Sequence, residues 1–241
     1  KTGGKVLAIP HNSNVSNGRM FAMNKFDGSP IDAAYVKTRA LREPIVEVTQ
    51  IKGDSEAHPF LSPNDEFADY GVAGWDKCNL SCTRDMPPES YGGSYVREAL
   101  KRGLELTLAV GANPFKFGMI GSTDSHTSLA TADEDNFFGK HSANEANNKD
   151  RAMAPQNLGT REGRFGWHYL SSGYAAVWAT SNTREAIFDA MRQPDRGCRS
   201  ASLAALTLTR TTRAISSKPD MPRAYRWAVI WLAATGKRPG S

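Results

Sequence analysis

Residues 114–141 read PFKFGMIGSTDSHTSLATADEDNFFGKH, and the fold turns on how this stretch is read. The apolar run Phe117 to Ile120 predicts a buried strand, which Gly121-Ser122-Thr123 breaks just before Asp124-Ser125-His126. A carboxylate and an imidazole then stand together at the C-terminal tip of a strand. In extended chain, residues i and i+2 point to the same side, so Asp124 and His126 can aim an oxygen and a ring nitrogen at one point. Carboxylate with imidazole is ligand chemistry for zinc, manganese or iron. A lone Asp-x-His is equally a loop Asp bonded to the neighbouring Ser and Thr hydroxyls, beside an exposed His. Further ligands have to decide.

Working outward, KVLAIP (5–10) reads as a first compact strand with His11-Asn12 at its end. Pro30 and Asp32 open a helix over residues 31–43, which stops before Pro44. IVEVTQ (45–50) alternates as a second strand and carries Glu47. IKGDSEAHPFLSPNDEFADYG is a long polar loop with Lys52, Asp54, Glu56 and His58, and loops of that length in compact domains are functional or disordered. Residues 71–93 lack periodicity and read as irregular surface. Ser94 is expected to cap a helix whose Val96, Ala99, Leu100 and Leu104 form one apolar face and which feeds the Phe117 strand. After a polar, Asn- and Arg-rich segment over 142–166, GYAAVWAT (173–180) reads as a strand. Asn182-x-x-Glu185 resembles a capping box for the helix TREAIFDAMRQ. The order strand, helix, strand, helix, strand, strand, helix, without an internal repeat, argues for an α/β protein with a largely parallel sheet or barrel.

Composition narrows the function. With 39% hydrophobic and 23% charged residues, the 241-residue chain has ordinary globular composition, and no run approaches a membrane span. Its pI near 9.1 would suggest nucleic acid or anionic surfaces as partners, but the basic charge is local. Residues 194–241 hold nine of the 30 Lys and Arg and two of the 25 acids, leaving 21 bases against 23 acids elsewhere. The mildly acidic main body argues against nucleic acid and against a membrane. Cys78, Cys82 and Cys198 form no disulfide framework, and C-x3-C alone is half of a zinc site. No GxxxxGK[ST], GxGxxG or GxSxG motif occurs, which removes the common nucleotide-binding and serine-hydrolase readings.

Three strand ends therefore carry candidate ligands: His11, Glu47, and Asp124 with His126. In a parallel α/β barrel these ends share one face, where such folds build active sites. Singly, His11 reads as a turn residue and Glu47 as a salt-bridged strand acid; together, a metal centre accounts for them better. Lys52 beside such a site can hold an anionic substrate group. Glu56 and His58, in a loop before Pro59, read as solvated, and His141 and His168 as structural.

LAIPHNSNVSNGRMF, VEVTQIKGDSEAHPFLSPNDEFADY, GSYVREALKRGLEL, ANPFKFGMIGSTDSHTSLATADEDNFFGKH and SGYAAVWATSNTREAIFDAM resemble the DUF3604 family, related to the PHP (polymerase and histidinol phosphatase) group of amidohydrolase-like hydrolases. The resemblance covers residues 1–192. It implies a distorted TIM-like barrel that binds two or three divalent metal ions (Mn, Zn or Fe) and hydrolyses phosphoester bonds of a small anionic, phosphorylated substrate. Carried over, His11 looks like the PHP histidine after a middle strand, and Asp124 and His126 look like late G-S-x-D-x-H ligands. Glu47 matches a strand acid of the family. Lys52 or Arg19 would steady the substrate's charge, and Asn12, Thr123 or Ser125 would orient ligands.

Two departures qualify the resemblance. The family's early H-x-H and D-H motifs are expected upstream of Lys1, so residues 1–192 are expected to hold part of a barrel and part of its site. After Gln193 the chain reads PDRGCRSASLAALTLTR and onward, where the family has TGPRM-VRFFGGFDF and later GVPMGGDL. Joining each codon's third base to the next two bases permits those motifs over 193–208 and 223–232. Residues 193–241 therefore read as a frameshifted, poorly ordered tail, which also accounts for their charge. Rival functions are an inactive truncated remnant, a metal- or anion-binding module without turnover, and an amidohydrolase-like C–N or ester hydrolase. Compartment and oligomeric state are not legible, although relatives that resemble the chain often look exported.

Overall fold

The computed structural model of the chain describes residues 4–124, 126, 155–156, 164–165, 169, 175 and 177–193. Helix α1 (Ala33–Arg42) leads into strand β1 (Ile45–Gln50), which turns into the short strand β2 (Gly53–Asp54). After a 3-10 turn (Pro88–Gly93) come helix α2 (Val96–Val110) and strand β3 (Gly118–Gly121). The pair β4 (Pro155–Gln156) and β5 (Arg164–Phe165) and helix α3 (Arg184–Arg192) complete the described elements. Strand β1 is central in the order β2-β1-β3, antiparallel to β2 and parallel to β3. The parallel pair, joined through α2, is the arrangement expected of alternating strands and helices.

The period of β1 divides its two faces. Val46 and Val48 join Val36 of α1, and Val96, Ala99 and Leu106 of α2, in the main core. Phe21, Phe115 and Phe117 fill its middle, with Phe21 edge-on to Phe115 at 5.6 Å between ring centres. Aromatic pairs prefer this offset geometry because the electron-poor ring edge meets the electron-rich face. The Arg39 guanidinium caps the Phe115 ring at 4.9 Å. Ile45 belongs to a separate cluster with Ile120, packed against Ala175, Trp178 and Met191. By strand alternation Glu47 shares the Ile45 face, away from α1 and α2.

Several local expectations are corrected. Residues 5–10 form no strand: Val6 is 61% exposed, and the run is held by the bonds Ala8 N–H to the Arg42 carbonyl and Glu47 N–H to the Pro10 carbonyl. A ladder needs donors and acceptors on successive residues, and Pro10 has no donor. Residues 175 and 177–180 of the expected strand over 173–180 likewise lie in no named strand. Ser94 is not the cap of α2. The helix starts after Tyr95, and its first N–H groups, on Val96 and Arg97, are taken by the carbonyls of Ser55 and Glu56 at 2.8 and 2.9 Å. The polar loop thus supplies the partners a helix N-terminus lacks, and Arg97 fastens it through Glu56 at 2.9 Å and Asp65. Helix α3 is capped by Thr183, whose hydroxyl accepts from Ala186 N–H at 3.2 Å, rather than by Asn182.

Cys78 and Cys82 are joined in a disulfide, so C-x3-C is a staple here and no half zinc site. His58 is buried rather than solvated: it stacks on Tyr91 at 4.0 Å, accepts from Phe60 N–H at Nδ1, and faces Asp76 at 3.4 Å through Nε2. Both ring nitrogens are satisfied, which makes it a core histidine. His141, His168 and residues 194–241 lie outside the described residues. Among the described residues no helix is long and apolar enough to cross a membrane.

Candidate functional site

The site forms where β1 and β3 end side by side. Parallel pairing continues past β3, with Ser122 N–H on the Thr49 carbonyl at 3.1 Å and Ile51 N–H on the Thr123 carbonyl at 3.3 Å. Asp124 is thereby delivered beside the β1–β2 turn, whose two residues are Ile51 and Lys52. The turn closes on Gly53 at φ 84, where a β-carbon would crowd the Val72 carbonyl and the Trp75 side chain. Only glycine takes that conformation without strain. Lys52 consequently stands at the hairpin tip with a side chain only 6% exposed, its ammonium paired with Asp124 Oδ2.

His11 reaches the same point from the N-terminal segment. Its Nδ1 lies 2.6 Å from Glu47 Oε2, while its Nε2 faces Asp124 Oδ1 at 3.7 Å. His126 Nε2 approaches the same oxygen at 3.3 Å. Glu47 is buried, and both of its oxygens are engaged: Oε2 by His11 and by Asn12 N–H at 3.4 Å, Oε1 by the Ser122 hydroxyl at 2.7 Å. A carboxylate on Nδ1 fixes the ring and leaves Nε2 facing Asp124. Asn12 and Asp124, which make the two turns at the site, both sit at positive φ, 58° and 49°. Asn and Asp tolerate this left-handed region better than other side chains because they bond locally, and each turn aims a neighbouring or attached polar group into the site.

Two imidazoles and a carboxylate are donor types that suit a divalent ion in chemistry. The set is partial: among the described residues no three His, Cys, Asp or Glu side chains enclose a common point.

Of the residues singled out in the sequence, His11, Glu47, Lys52, Asp124 and His126 all meet here. Arg19 is exposed on a turn, and Ser125 lies outside the described residues. Thr123 is buried and contributes its backbone carbonyl. Ser122, which holds Glu47, was missed; its signal is its place directly after the strand-ending glycine. Asp54, two residues past Lys52, is a further titrating group. Burial pushes its carboxyl up to about 7; Oδ1 accepts from Glu56 N–H at 3.1 Å, and Oδ2 is buried without a hydrogen-bond partner among the described residues.

In a three-stranded mixed sheet, the C-terminal ends of the one parallel pair gather imidazole, carboxylate and a buried lysine into a polar site at the strand tips. Residues 1–196 match the DUF3604 family, described as "Protein of unknown function (DUF3604)", and the chain belongs to that family. No curated protein matches the chain, and neither does any solved structure.

Proposed function

We propose that the chain carries part of the active site of a metal-dependent hydrolase of the PHP type, built on a distorted TIM-like barrel and acting on phosphoester bonds. The observation that carries this reading is the meeting of His11, His126 and Lys52 around Asp124. His11 Nε2, Asp124 and His126 would hold the ions, with Glu47 orienting His11 through Nδ1. Bound manganese, zinc or iron would supply an acidified water and neutralise charge developing on the ester oxygens. The chain's own contribution is to fix the ligand directions and to present the Lys52 ammonium, a point cation suited to a phosphoryl oxygen. Further ligands complete the set in this reading. The tail belongs to the same proposal: a reading-frame change near residue 190 would leave the family motifs in another frame, and a family match that spans residues 1–196 is in keeping with it. Sequencing the gene tests this, since failure of any single-frame correction to restore the two family motifs removes the idea.

The test of function is metal content and turnover together. The chain, folded with manganese, zinc or iron, is compared with a His11→Ala/Asp124→Ala/His126→Ala variant by elemental analysis, and both are assayed with a chromogenic phosphodiester. Near-stoichiometric metal and hydrolysis, both lost in the variant, are expected. Metal-independent phosphate binding without turnover would instead identify an anion-binding module. Hydrolysis of an amide or carboxylic ester in place of the phosphodiester would move the substrate class and keep the metal chemistry.

A further inference from the structure

The Lys52 backbone is gripped by buried side chains at both of its polar groups. Its N–H donates to Gln50 Oε1 at 2.7 Å, and its carbonyl accepts from Asn14 Nδ2 at 2.9 Å. Gln50 and Asn14 are each 1% exposed. Asn14 is itself locked by Ser55, whose hydroxyl accepts from Asn14 N–H at 3.1 Å and donates to Asn14 Oδ1 at 3.0 Å. The other end of Gln50 turns toward the imidazole half of the site: its Nε2 donates to Asn12 Oδ1, and Asn12 N–H points at the Glu47 carboxylate that holds His11. The contacts close into a ring running Glu47, His11, Asp124, Lys52, Gln50, Asn12 and back to Glu47.

Gln50 and Asn12 are the uncharged members of this ring, and Gln50 is the one whose side chain spans the two halves, with Oε1 on the Lys52 N–H and Nε2 on Asn12 Oδ1. A buried amide gains little net stability when satisfied and is costly when left half-paired, so apolar residues of similar size serve a core at least as well. What the amide adds is direction. We propose that Gln50 is a positioning residue, which fixes the Lys52 ammonium relative to the His11 imidazole so that both address one anionic group.

This rests on the site reading above, and the test separates the two. In the full chain, three quantities are measured for wild type, Gln50→Leu, Gln50→Glu and Val46→Ala: inorganic phosphate affinity by calorimetry, the His11 tautomer by imidazole nitrogen NMR, and Lys52 protection from an amine reagent relative to exposed Lys37. Gln50→Leu keeps the volume and loses both bonds. It is expected to weaken phosphate binding roughly ten- to hundredfold, to mix the His11 tautomers and to expose Lys52. Gln50→Glu keeps the acceptor for Lys52 N–H, and rotation of the Asn12 amide supplies a donor to it, so tautomer and protection are expected to survive. Val46→Ala loosens the core under the helices and is expected to leave all three readouts at wild-type values. If wild type binds no phosphate, the site reading fails while tautomer and labelling still judge Gln50. A folded Gln50→Leu with wild-type tautomer and protection overturns the proposal, and so does loss of both in Gln50→Glu or equal loss in Val46→Ala. Should Gln50→Leu not fold, the Glu and Val46 variants decide it.

Discussion

Replacing Asp124 by Asn removes the anion from a buried ion pair while preserving its shape. The Lys52 side chain is 6% exposed and that of Asp124 10%, so neither charge is well hydrated. Deleting one partner of a buried pair costs about 3–5 kcal/mol, because the remaining charge stays desolvated. In a chain of 241 residues, each kcal/mol moves Tm by about 2–4 °C, so Asp124→Asn lowers Tm by about 6–20 °C. Lys52→Met should cost less, because Asp124 keeps the imidazole nitrogens of His11 and His126 beside it at 3.7 and 3.3 Å. The double variant should recover most of the loss, as apolar replacement of a buried pair is often neutral. Urea unfolding, followed by fluorescence of buried Trp75 with chelator present, gives the cycle without metal-linked stabilisation. A coupling energy of about 2 kcal/mol or more is expected. Additive effects, with Asp124→Asn within about 0.5 kcal/mol of wild type, would refute a buried pair at the hairpin tip.

Asp54 makes stability depend on pH in an uncommon direction. Its carboxyl moves from 3.8 up to about 7 through burial, so the folded chain holds a proton that the unfolded chain releases. Its contribution is fully present below about pH 4 and declines as pH rises through about 7, flattening above. Asp54→Asn should remove that decline between pH 4 and 8, and parallel stability curves for the two proteins would show that the carboxyl is hydrated. Thiol titration in denaturant should find the single thiol of Cys198, against three if Cys78 and Cys82 are unbridged. Opening their short loop by Cys78→Ser/Cys82→Ser should cost about 2 kcal/mol in the chain-entropy picture.

The sequence alone located the elements that depend on local signals. Period-two alternation marks Ile45–Gln50, and Asp32 and Pro44 bracket α1; the apolar stripe marks where α2 runs but only half of its face, since Val96 and Ala99 are buried while Leu100 and Leu104 are exposed and Gly103 and Leu106 are buried in their place. It also marked His11, Glu47, Lys52, Asp124 and His126, because ionisable residues in or just after apolar runs are conspicuous in one dimension, although the run before His11 forms no strand. Local signals misled where a partner decides the outcome. KVLAIP has the composition of a strand but no ladder, and Ser94 has the chemistry of a cap, but its hydroxyl accepts from Gly18 N–H at 2.8 Å. The α2 N-terminus is served instead by carbonyls some forty residues upstream, which no window of sequence reveals. Glu47 read as a ligand from its position. Only the packed site shows both of its oxygens already held by His11, Asn12 and Ser122, partners 36, 35 and 75 residues away along the chain. Gln50 and Asn14 looked like ordinary polar residues, and their role follows from burial, because a buried amide must find partners and theirs lie on separate segments. Composition and period are properties of neighbours along the chain; the direction of a side chain's bonds is set by neighbours in space, and those the tertiary structure alone decides.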